Sequence, residues 1–554
     1  MKNEWLKMKR SSFVEGTFIA TLAIVITKML GMIYVIPFYA MVGIQGSALY
    51  AYAYNIYVIF LDISSAGLPI AISKIINEYN TLGMLDAKVR AYRLGRSIMM
   101  FLAVVIFILL MLFAPQIAQL LLGDLSGGNT VEDVALAIRC VSFAILIVPF
   151  LSVIKGYLQG HNVINISSFS QVIEQIVRIS IILGGTYLIL YVFNGTVTQA
   201  ICLSVFGAFI SGLVAYLFIK FMISRGDSKE LSFKNEYKAD DVSNKEITKK
   251  IFSYAIPFII INIVSSCYNF IDMTLLLRTM NYLNLETSDI EFVTSAVTTW
   301  APKINMIIAS IAMGMSTSLI PTMVTSFTLK KWDEVNNKFN QALQILIFIS
   351  LPMTIGISLL STAVWSIFYG YNVYGSYILA LNVFTGLFIN IYMTTSSALQ
   401  GLNKFKTVYL STITGFVSNA LLDVPIMLLY SKIGIPPFLG AVTASIIGYC
   451  LSIIIALISL RKDCKLNYGS TIKILVKMIV PTLLMTIVVL ILNKVIVIDY
   501  TSKLSCILFV AINSIIGAIV YIFVSWKMGI VDKVLGKRMV NKILKKLTFG
   551  KVSV

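Results

Sequence analysis

The stretch Leu158-Gln159-Gly160-His161-Asn162 is nearly repeated 241 residues later as Leu399-Gln400-Gly401-Leu402-Asn403. A weaker echo is Thr81-Leu82, which recurs as Thr328-Leu329 at an offset of 247. Long apolar runs flank both copies of the first stretch. Two matches at nearly the same offset indicate an internal duplication, with corresponding loops in two halves of one chain.

The composition indicates an integral membrane protein. Hydrophobic residues make up 58% of the 554 residues, the mean hydropathy is +0.88, and only 12% of residues are charged, whereas a soluble domain carries about 25% charge. The net charge of +19 does not indicate a nucleic-acid partner. The basic residues lie in short loops and in the C-terminal tail, where they set topology and contact anionic lipid.

Fourteen segments are long and apolar enough to cross the hydrocarbon core, which takes about 20 residues. The sequence therefore predicts an all-α integral membrane protein with about 14 transmembrane helices. The predicted spans are 13–40, 47–72, 97–121, 134–154, 163–191, 198–219, 251–277, 296–325, 340–363, 374–398, 408–430, 437–460, 474–493 and 504–526.

The loops alternate sharply in charge along the chain. Those on one side hold 35 Lys and Arg residues and those on the other side hold four, which places the basic side and both termini in the cytoplasm. Six helices per half make the duplication a parallel repeat. The predicted parts are an N-lobe (1–223), a cytoplasmic linker (224–250), a C-lobe (251–463), helices 13 and 14 (464–526) and a basic cytoplasmic tail (527–554).

Lys28 is the sharpest of the ionisable residues inside the spans, which tend to face a cavity or a charged partner. It lies in the middle of helix 1, before Gly31 and Pro37, which together permit a bend. A bent helix with a central cation suits an alternating-access carrier of an anionic substrate. The alternative is a structural ion pair with an acid such as Asp62.

The remaining charges leave similar alternatives open. Glu174 and Arg178 lie one turn apart and can neutralise each other, or Arg178 can meet a phosphate. Lys303 either lines a cavity or reaches the outer interface. The candidates for substrate binding are Lys28, Asp62, Glu174, Arg178 and Lys303. The candidates for ion coupling, which otherwise serve helix packing, are Asp272 and Asp423. The candidate hinges are Gly31, Pro37, Pro257 and Pro302.

The sequence has no visible machinery for catalysis or ATP hydrolysis. It contains no P-loop, no G-x-G-x-x-G, no HExxH and no nucleophile with a neighbouring base. The six cysteines form no C-x-x-C pair, so neither a disulfide framework nor a metal site is expected. We therefore expect a secondary transporter without a cofactor, coupled to the membrane potential, H⁺ or Na⁺.

Several short motifs together resemble the multidrug/oligosaccharidyl-lipid/polysaccharide exporter superfamily. Within it the chain is most similar to the branch of stage V sporulation protein B and the MurJ-type lipid II flippases of Gram-positive bacteria. The motifs are Thr27-Lys28-Met29-Leu30-Gly31, Gly156-Tyr157-Leu158-Gln159-Gly160, Ser170-Gln171-Val172-Ile173-Glu174-Gln175-Ile176-Val177-Arg178, Phe270-Ile271-Asp272 and Leu319-Ile320-Pro321.

The resemblance implies a V-shaped pair of lobes around a cationic cavity that holds a diphosphate-sugar headgroup. Helices 13 and 14 would line a groove for the polyprenyl tail. The implied function is a flippase for an undecaprenyl-diphosphate-linked saccharide, with lipid II as the first choice. The alternatives are a flippase for another polyprenyl-linked glycan, of the exopolysaccharide or teichoic type, a cation or drug antiporter like the MATE transporters, and a scaffold in a cell-wall or sporulation complex.

The resemblance also implies a setting and specific residues. The setting is the bacterial plasma membrane, with a lipid-linked oligosaccharide, membrane lipids and cell-wall synthesis proteins as partners of a monomeric chain. Lys28 stands where flippases have a cavity cation before Leu-Gly, and Lys303 stands at a comparable cation of helix 8. The sequence departs from the family at Tyr34, where a second cation is expected, and at Leu61-Asp62, where a basic pair is expected.

Overall fold

The computed structural model describes most of the chain, and all of its regular elements there are helices. The described residues are 22–535, without 24–25, 66–67, 124, 126–127, 162, 226–240, 307, 309–322, 324–325 and 328. The expectation of an all-α protein is confirmed for this part of the chain.

The helices follow one another with short connections. In the first half they are α1 (Ile26–Ile33), α2 (Val35–Ser65), α3 (Leu68–Thr81), α4 (Leu85–Leu122), α5 (Val131–Gly160), α6 (Ile164–Tyr187), α7 (Val197–Arg225), α8 (Asn244–Tyr282), α9 (Thr287–Ser295) and α10 (301–306). In the second half they are α11 (Trp332–Leu359), α12 (Ser361–Tyr369), α13 (Val373–Gly401), α14 (Phe405–Lys432), α15 (Leu439–Cys464), α16 (Gly469–Val495), α17 (Lys503–Lys527) and α18 (Ile530–Leu535). Single π-helical turns continue α6 at Leu188–Val192 and α9 at Ala296–Trp300.

The chain is a multi-pass membrane protein. Eleven helices among the described residues are long and apolar enough to cross a membrane, and the bent pair α1–α2 raises the number to 12. The eleven correspond to predicted spans 3 to 7 and 9 to 14. The predicted number of fourteen is not reached in the described residues, because spans 1 and 8 lie partly outside them and because α2 joins the end of span 1 to span 2.

The helices α1 and α2 are bent at two points where the sequence weakens the backbone hydrogen bonds. The axis turns by 43° between α1 and α2, around Tyr34 and three residues before Pro37, which lacks the N–H that would bond the carbonyl of Ile33. Within α2 the backbone leaves helical geometry at Gly43, where φ is 65°. A glycine adopts this φ without the steric cost that a side chain brings.

The chain divides into two compact units. The first comprises Met1–Lys303 together with Ala420–Leu429, and the second comprises Ile304–Asn419 together with Tyr430–Val554. The predicted division into lobes at 224–250 stays a prediction, and most of that linker lies outside the described residues, as does most of the basic tail.

One apolar core cluster of the first unit is shared by the helices α3 to α8. Ile72, Tyr92, Leu158 and Ile251 are among its buried members. Lipid tails are as apolar as these side chains, so the hydrophobic effect does not drive the helices together inside a membrane. Close van der Waals contact between the buried side chains stabilises the packing instead.

Polar contacts join the region of α8 and α9 to the preceding helices near both ends of α8. At the start of α8, Lys250 forms an ion pair with Glu78 of α3, with 2.6 Å between Nζ and Oε1. Beyond its end, Glu291 of α9 accepts hydrogen bonds from the backbone N–H (2.6 Å) and the Nδ2 (2.8 Å) of Asn129. Asn129 and Glu291 are both buried.

The two repeated stretches are closed by matching backbone hydrogen bonds. The N–H of Val163 bonds the carbonyl of Leu158 at 2.9 Å, and 241 residues later the N–H of Lys404 bonds the carbonyl of Leu399 at 2.8 Å. Each stretch ends a helix, α5 at Gly160 and α13 at Gly401. The repeated sequence therefore coincides with a repeated helix end, as expected of an internal duplication.

The echo at an offset of 247 also has a structural counterpart. Gly83 and Lys330, which correspond at that offset, both adopt a left-handed backbone with φ of 73° and 57°. The next residue in each turn bonds back by five positions, from Met84 to Tyr79 and from Lys331 to Ser326, at 2.9 Å in both. The two turns before α4 and α11 are therefore built alike.

Gly160 lies where α5 packs tightly against α3. A Cβ at this position would lie 2.8 Å from the backbone oxygen of Ser73 and 2.7 Å from the Cβ of Ile76. We expect Gly160→Ala to push α5 away from α3 and to destabilise the fold by about 1–3 kcal/mol. A lower apparent Tm of the detergent-solubilised protein measures the effect.

The control for this prediction is Gly184→Ala in α6, where a Cβ would meet no atom within 4 Å. Alanine is a better helix former than glycine, so this variant is expected to match the wild-type Tm or exceed it slightly. An unchanged Tm for Gly160→Ala would show that α3 and α5 separate at no cost.

Candidate functional site

Lys303 lies in an aromatic cage inside the first unit. Its ammonium group donates a hydrogen bond to the Tyr34 hydroxyl at 2.9 Å. The same group lies 4.4 Å from the ring centroid of Trp300, 5.0 Å from that of Tyr34 and 5.2 Å from that of Tyr50. Only 7% of Lys303 is exposed. The electron-rich ring faces replace water around a buried cation.

Glu174 is the centre of an ion network on α5 and α6. Its Oε1 pairs with Nη2 of Arg178 at 2.8 Å and its Oε2 pairs with Nζ of Lys155 at 2.9 Å. The side chains of the three residues are between 14% and 25% exposed. Two cations around one carboxylate leave the network with a net charge of +1. No other acid among the described residues forms an ion pair with this network, so within that part of the chain its positive charge is not balanced.

Lys28 is half-buried in α1. Its ammonium group forms no hydrogen bond or ion pair with the residues that the structure describes. Gly31, one turn later, allows α1 to approach α6, because a Cβ there would lie 3.3 Å from Nε2 of Gln175. The side chain of Asp62, the alternative partner of Lys28, lies outside the described residues, so the pair with Asp62 stays a prediction.

Asp272 and Asp423 come together in the first unit although 151 positions separate them. Asp272 belongs to α8 and Asp423 to α14, and both are buried. Their carboxyl groups are close enough to interact directly. Asn419, one helical turn before Asp423, is also buried. The described residues contain no cluster of three or more His, Cys, Asp or Glu side chains, so any cation here would depend on two carboxylates and neutral oxygens.

The candidate hinges lie in structurally different places. Gly31 and Pro37 flank the 43° bend between α1 and α2. Pro302 lies two residues after the end of the π-helical turn Ala296–Trp300. Such turns often mark functional positions in helices. Pro257 belongs to the long helix α8, and its side chain lies outside the described residues.

The second unit contains an apolar cavity of about 550 Å³ beside the two C-terminal spans. It lies between α11, α12, α16 and α17, with Phe348, Pro352, Phe368, Met485 and Tyr521 among its walls. Its polar wall residues include Asn513 and Ser514. An apolar lining of this kind suits a hydrocarbon ligand, because few polar groups in it would need a partner.

Two parts of this arrangement are absent from the expectations based on sequence. Lys155 is in the predicted loop 155–162, but α5 continues to Gly160 and brings Lys155 to Glu174. The tyrosines Tyr50, Tyr54 and Tyr57 of α2 were not singled out either. Their spacing of four and three residues, which puts them on one helix face, is the signal that identifies them.

Comparisons with known proteins place the chain in a family. Residues 13–327 match the family model described as polysaccharide biosynthesis protein. The lipid II flippase MurJ of Bacillus subtilis (strain 168) is 32% identical over 539 residues, which are 96% of this chain and 98% of that protein.

Solved structures show the same fold. A lipid II flippase MurJ in an inward closed conformation matches with a TM-score of 0.64 and 17% identity, over 92% of this chain and 99% of that one. An inward-facing MATE family multidrug transporter of the MOP superfamily matches with a TM-score of 0.63 and 16% identity, over 79% and 96%. With a matching family model over more than half of its length and a relative above 30% identity along nearly all of it, the chain belongs to the polysaccharide biosynthesis protein family.

Proposed function

We propose that the protein is a flippase that moves an undecaprenyl-diphosphate-linked saccharide, first of all lipid II, from the inner to the outer leaflet of the bacterial plasma membrane. The observation that carries the proposal is the excess of positive charge inside an apolar unit. The network around Glu174 has a net charge of +1, and Lys28 has no partner among the described residues. A diphosphate supplies the anion that such cations favour away from water.

The similarity to MurJ of Bacillus subtilis along nearly the whole of both chains supports a flippase over an enzyme. The likeness to solved MurJ and MATE structures supports a transporter fold. Lys28 and Arg178 are the proposed ligands of the diphosphate. Lys303 is bonded to Tyr34 in this conformation, and its role is to fix the aromatic groups around it.

The cavity of the second unit is the proposed place for part of the polyprenyl tail. It is bounded by α16 and α17, which correspond to predicted helices 13 and 14. The outward faces of these two helices carry many exposed apolar side chains, such as Leu483 and Ile515. A tail that leaves the cavity between them meets lipid, so the chain does not need to enclose the entire isoprenoid.

The pair Asp272 and Asp423 is the proposed coupling site. Two buried carboxylates that interact directly repel each other unless a proton or a cation lies between them. Binding of Na⁺ or H⁺ would remove that repulsion. Uptake of the ion, driven by its gradient and by the membrane potential, would then return the carrier to its starting state.

The proposed setting follows from the charge of the loops. The loops rich in Lys and Arg face the cytoplasm together with both termini. The partners are the lipid-linked oligosaccharide, membrane lipids and enzymes of peptidoglycan synthesis, and the transporting form is a monomer.

Replacing Lys28 tests the cationic site. We expect Lys28→Ala to lower lipid II translocation by about tenfold or more, because it removes a positive charge, without a partner among the described residues, from a region of low dielectric constant. Lys28→Arg keeps the charge and is expected to retain most activity. The measurement is rescue of cells that have been depleted of their own flippase, with protein levels compared by immunoblot.

Lys432→Ala is the matched control, since this lysine is exposed at the end of α14. Full rescue by Lys28→Ala would remove the cation from the mechanism. Failure of the well-expressed wild type to rescue, together with dye efflux that depends on Asp272 and Asp423, would favour a drug antiporter instead.

Replacing Asp423 tests the coupling site. In proteoliposomes we expect a Na⁺ or H⁺ gradient to accelerate lipid II translocation by the wild type. For Asp423→Asn, we expect the rate to stay at the value measured without a gradient, because one of the two repelling carboxylates is gone. Binding of lipid II to detergent-solubilised Asp423→Asn is expected to stay within about twofold of the wild type, as no diphosphate ligand is changed.

Asp499→Asn, in the exposed connection between α16 and α17, is the control for loss of a carboxylate. If the same gradient accelerates Asp423→Asn as much as the wild type, the coupling ion binds elsewhere.

A further inference from the structure

Three tyrosines of α2 form one face of that helix inside the first unit. Tyr50, Tyr54 and Tyr57 follow one another by four and three positions, which places them on a single side of the helix. Tyr50 and Tyr57 are buried, whereas Tyr54 is half-buried. Of the three, Tyr54 therefore has the most ring surface available to a ligand.

The ring of Tyr54 is the outer member of an aromatic stack. It lies 5.8 Å from the ring of Tyr50 with only 9° between their planes, and Tyr50 lies 5.9 Å from Trp300 at 25°. Lys303 covers the inner end of the stack, over Tyr50 and Trp300. Among the described residues, the parallel stacking stops at Tyr54. Its next aromatic neighbour, Tyr57, is tilted by 49° at 6.3 Å.

The helix that carries Tyr54 is fixed at that position. Asn55, the following residue, is buried and donates a hydrogen bond from Nδ2 to Oγ1 of Thr299 at 3.0 Å. The Tyr50 hydroxyl lies 3.4 Å from the Tyr34 hydroxyl, which accepts the hydrogen bond from Lys303. The ring of Tyr54 thus has a set orientation before any ligand arrives, which lowers the entropic cost of binding.

Two polar groups, the hydroxyl of Tyr54 and the guanidinium group of Arg178, also belong to the surroundings of this ring. Its hydroxyl forms no hydrogen bond with the described residues. The guanidinium group of Arg178 lies close enough to interact electrostatically with Tyr54 and Tyr57. The aromatic face and the proposed phosphate ligand Arg178 therefore lie within electrostatic range of each other. In a polyprenyl-diphosphate glycan the first sugar is bonded directly to the phosphate, so one ligand can reach both groups.

We propose that Tyr54 is the saccharide contact of the transporter: the apolar C–H face of the first sugar stacks on its ring while the diphosphate meets Arg178. Aromatic rings attract such C–H groups because the ring face is negative and the hydrogens are positive. Trp300, as the inner member of the stack, and Lys303, which lies over Trp300 and Tyr50, act as positioning residues. This inference rests on the proposed function, and it adds that the protein recognises the sugar as well as the diphosphate by direct contact.

The test compares two probes with the same tail and diphosphate. Undecaprenyl diphosphate has no sugar, and lipid II has one. We expect the full-length wild type in detergent to bind lipid II more tightly than undecaprenyl diphosphate. Tyr54→Leu is expected to weaken binding of lipid II by roughly three- to tenfold and to leave binding of undecaprenyl diphosphate unchanged. Tyr54→Phe, which keeps the ring, is expected to bind both probes nearly as the wild type does.

Two further variants keep the test decisive. Tyr54→Gln also lacks the ring and takes the place of Tyr54→Leu if the leucine variant does not fold. It is expected to show the same weaker binding of lipid II and unchanged binding of undecaprenyl diphosphate. Tyr187→Leu, at the exposed end of α6, is the control for loss of a tyrosine and is expected to bind both probes normally.

The possible failures are distinguishable. Equal loss of both probes in folded Tyr54→Leu, or no loss of lipid II binding, would overturn the saccharide contact and leave the flippase proposal intact. Equal affinity of the wild type for the two probes would likewise overturn the saccharide contact without affecting the flippase proposal. A wild type that binds neither probe would overturn the proposed function and the saccharide contact together.

Discussion

The buried ammonium group of Lys303 is the constraint on which the centre of the first unit depends. A cation withdrawn from water is costly unless other groups replace its hydration. Here the replacement comes from Tyr34 at the bend between α1 and α2, from α2 through Tyr50 and from the π-helical turn through Trp300. The three segments are therefore held by one charge, and the bend at Tyr34 is part of what brings them together.

A second constraint acts on α6, where Glu174 must be neutralised inside an apolar bundle. The carboxylate has two cationic partners instead of one. Removing Glu174 would leave both cations uncompensated, whereas removing Arg178 would leave one balanced pair with Lys155. The acid thus serves to hold the positive charge of this region in place, which reconciles a structural role for Glu174 with a substrate role for Arg178.

Hydropathy was sufficient for the membrane class and for most spans, because the bilayer imposes length and apolarity on each helix separately. The duplicated turns were also readable, since a turn depends on a few consecutive residues such as Leu158 and Gly160. The contact of Tyr34 with Lys303 could not be predicted in the same way. It lies at Lys303, 269 positions away, and no local pattern encodes a contact between such distant segments.

The role of Lys155 escaped prediction for a different reason. A lysine at the end of an apolar stretch has the same appearance whether the helix stops there or continues for another turn. Only the packing of α5 against α6 decides which of these occurs. The tyrosines of α2 had a visible spacing, but aromatic residues at helical intervals are more often core than site, so their stacking on Trp300 had to come from the structure.

The two contacts near the ends of α8 differ in how dissolved salt acts on them. Lys250 and Glu78 are partly exposed, with 26% and 37% of their side chains accessible, and mobile ions screen charges in such positions over about 8–10 Å. The bond between Glu291 and Asn129 is buried, beyond the reach of counterions. Raising the ionic strength therefore loosens the attachment of α8 to α3 and leaves the attachment of α9 to Asn129 as it was.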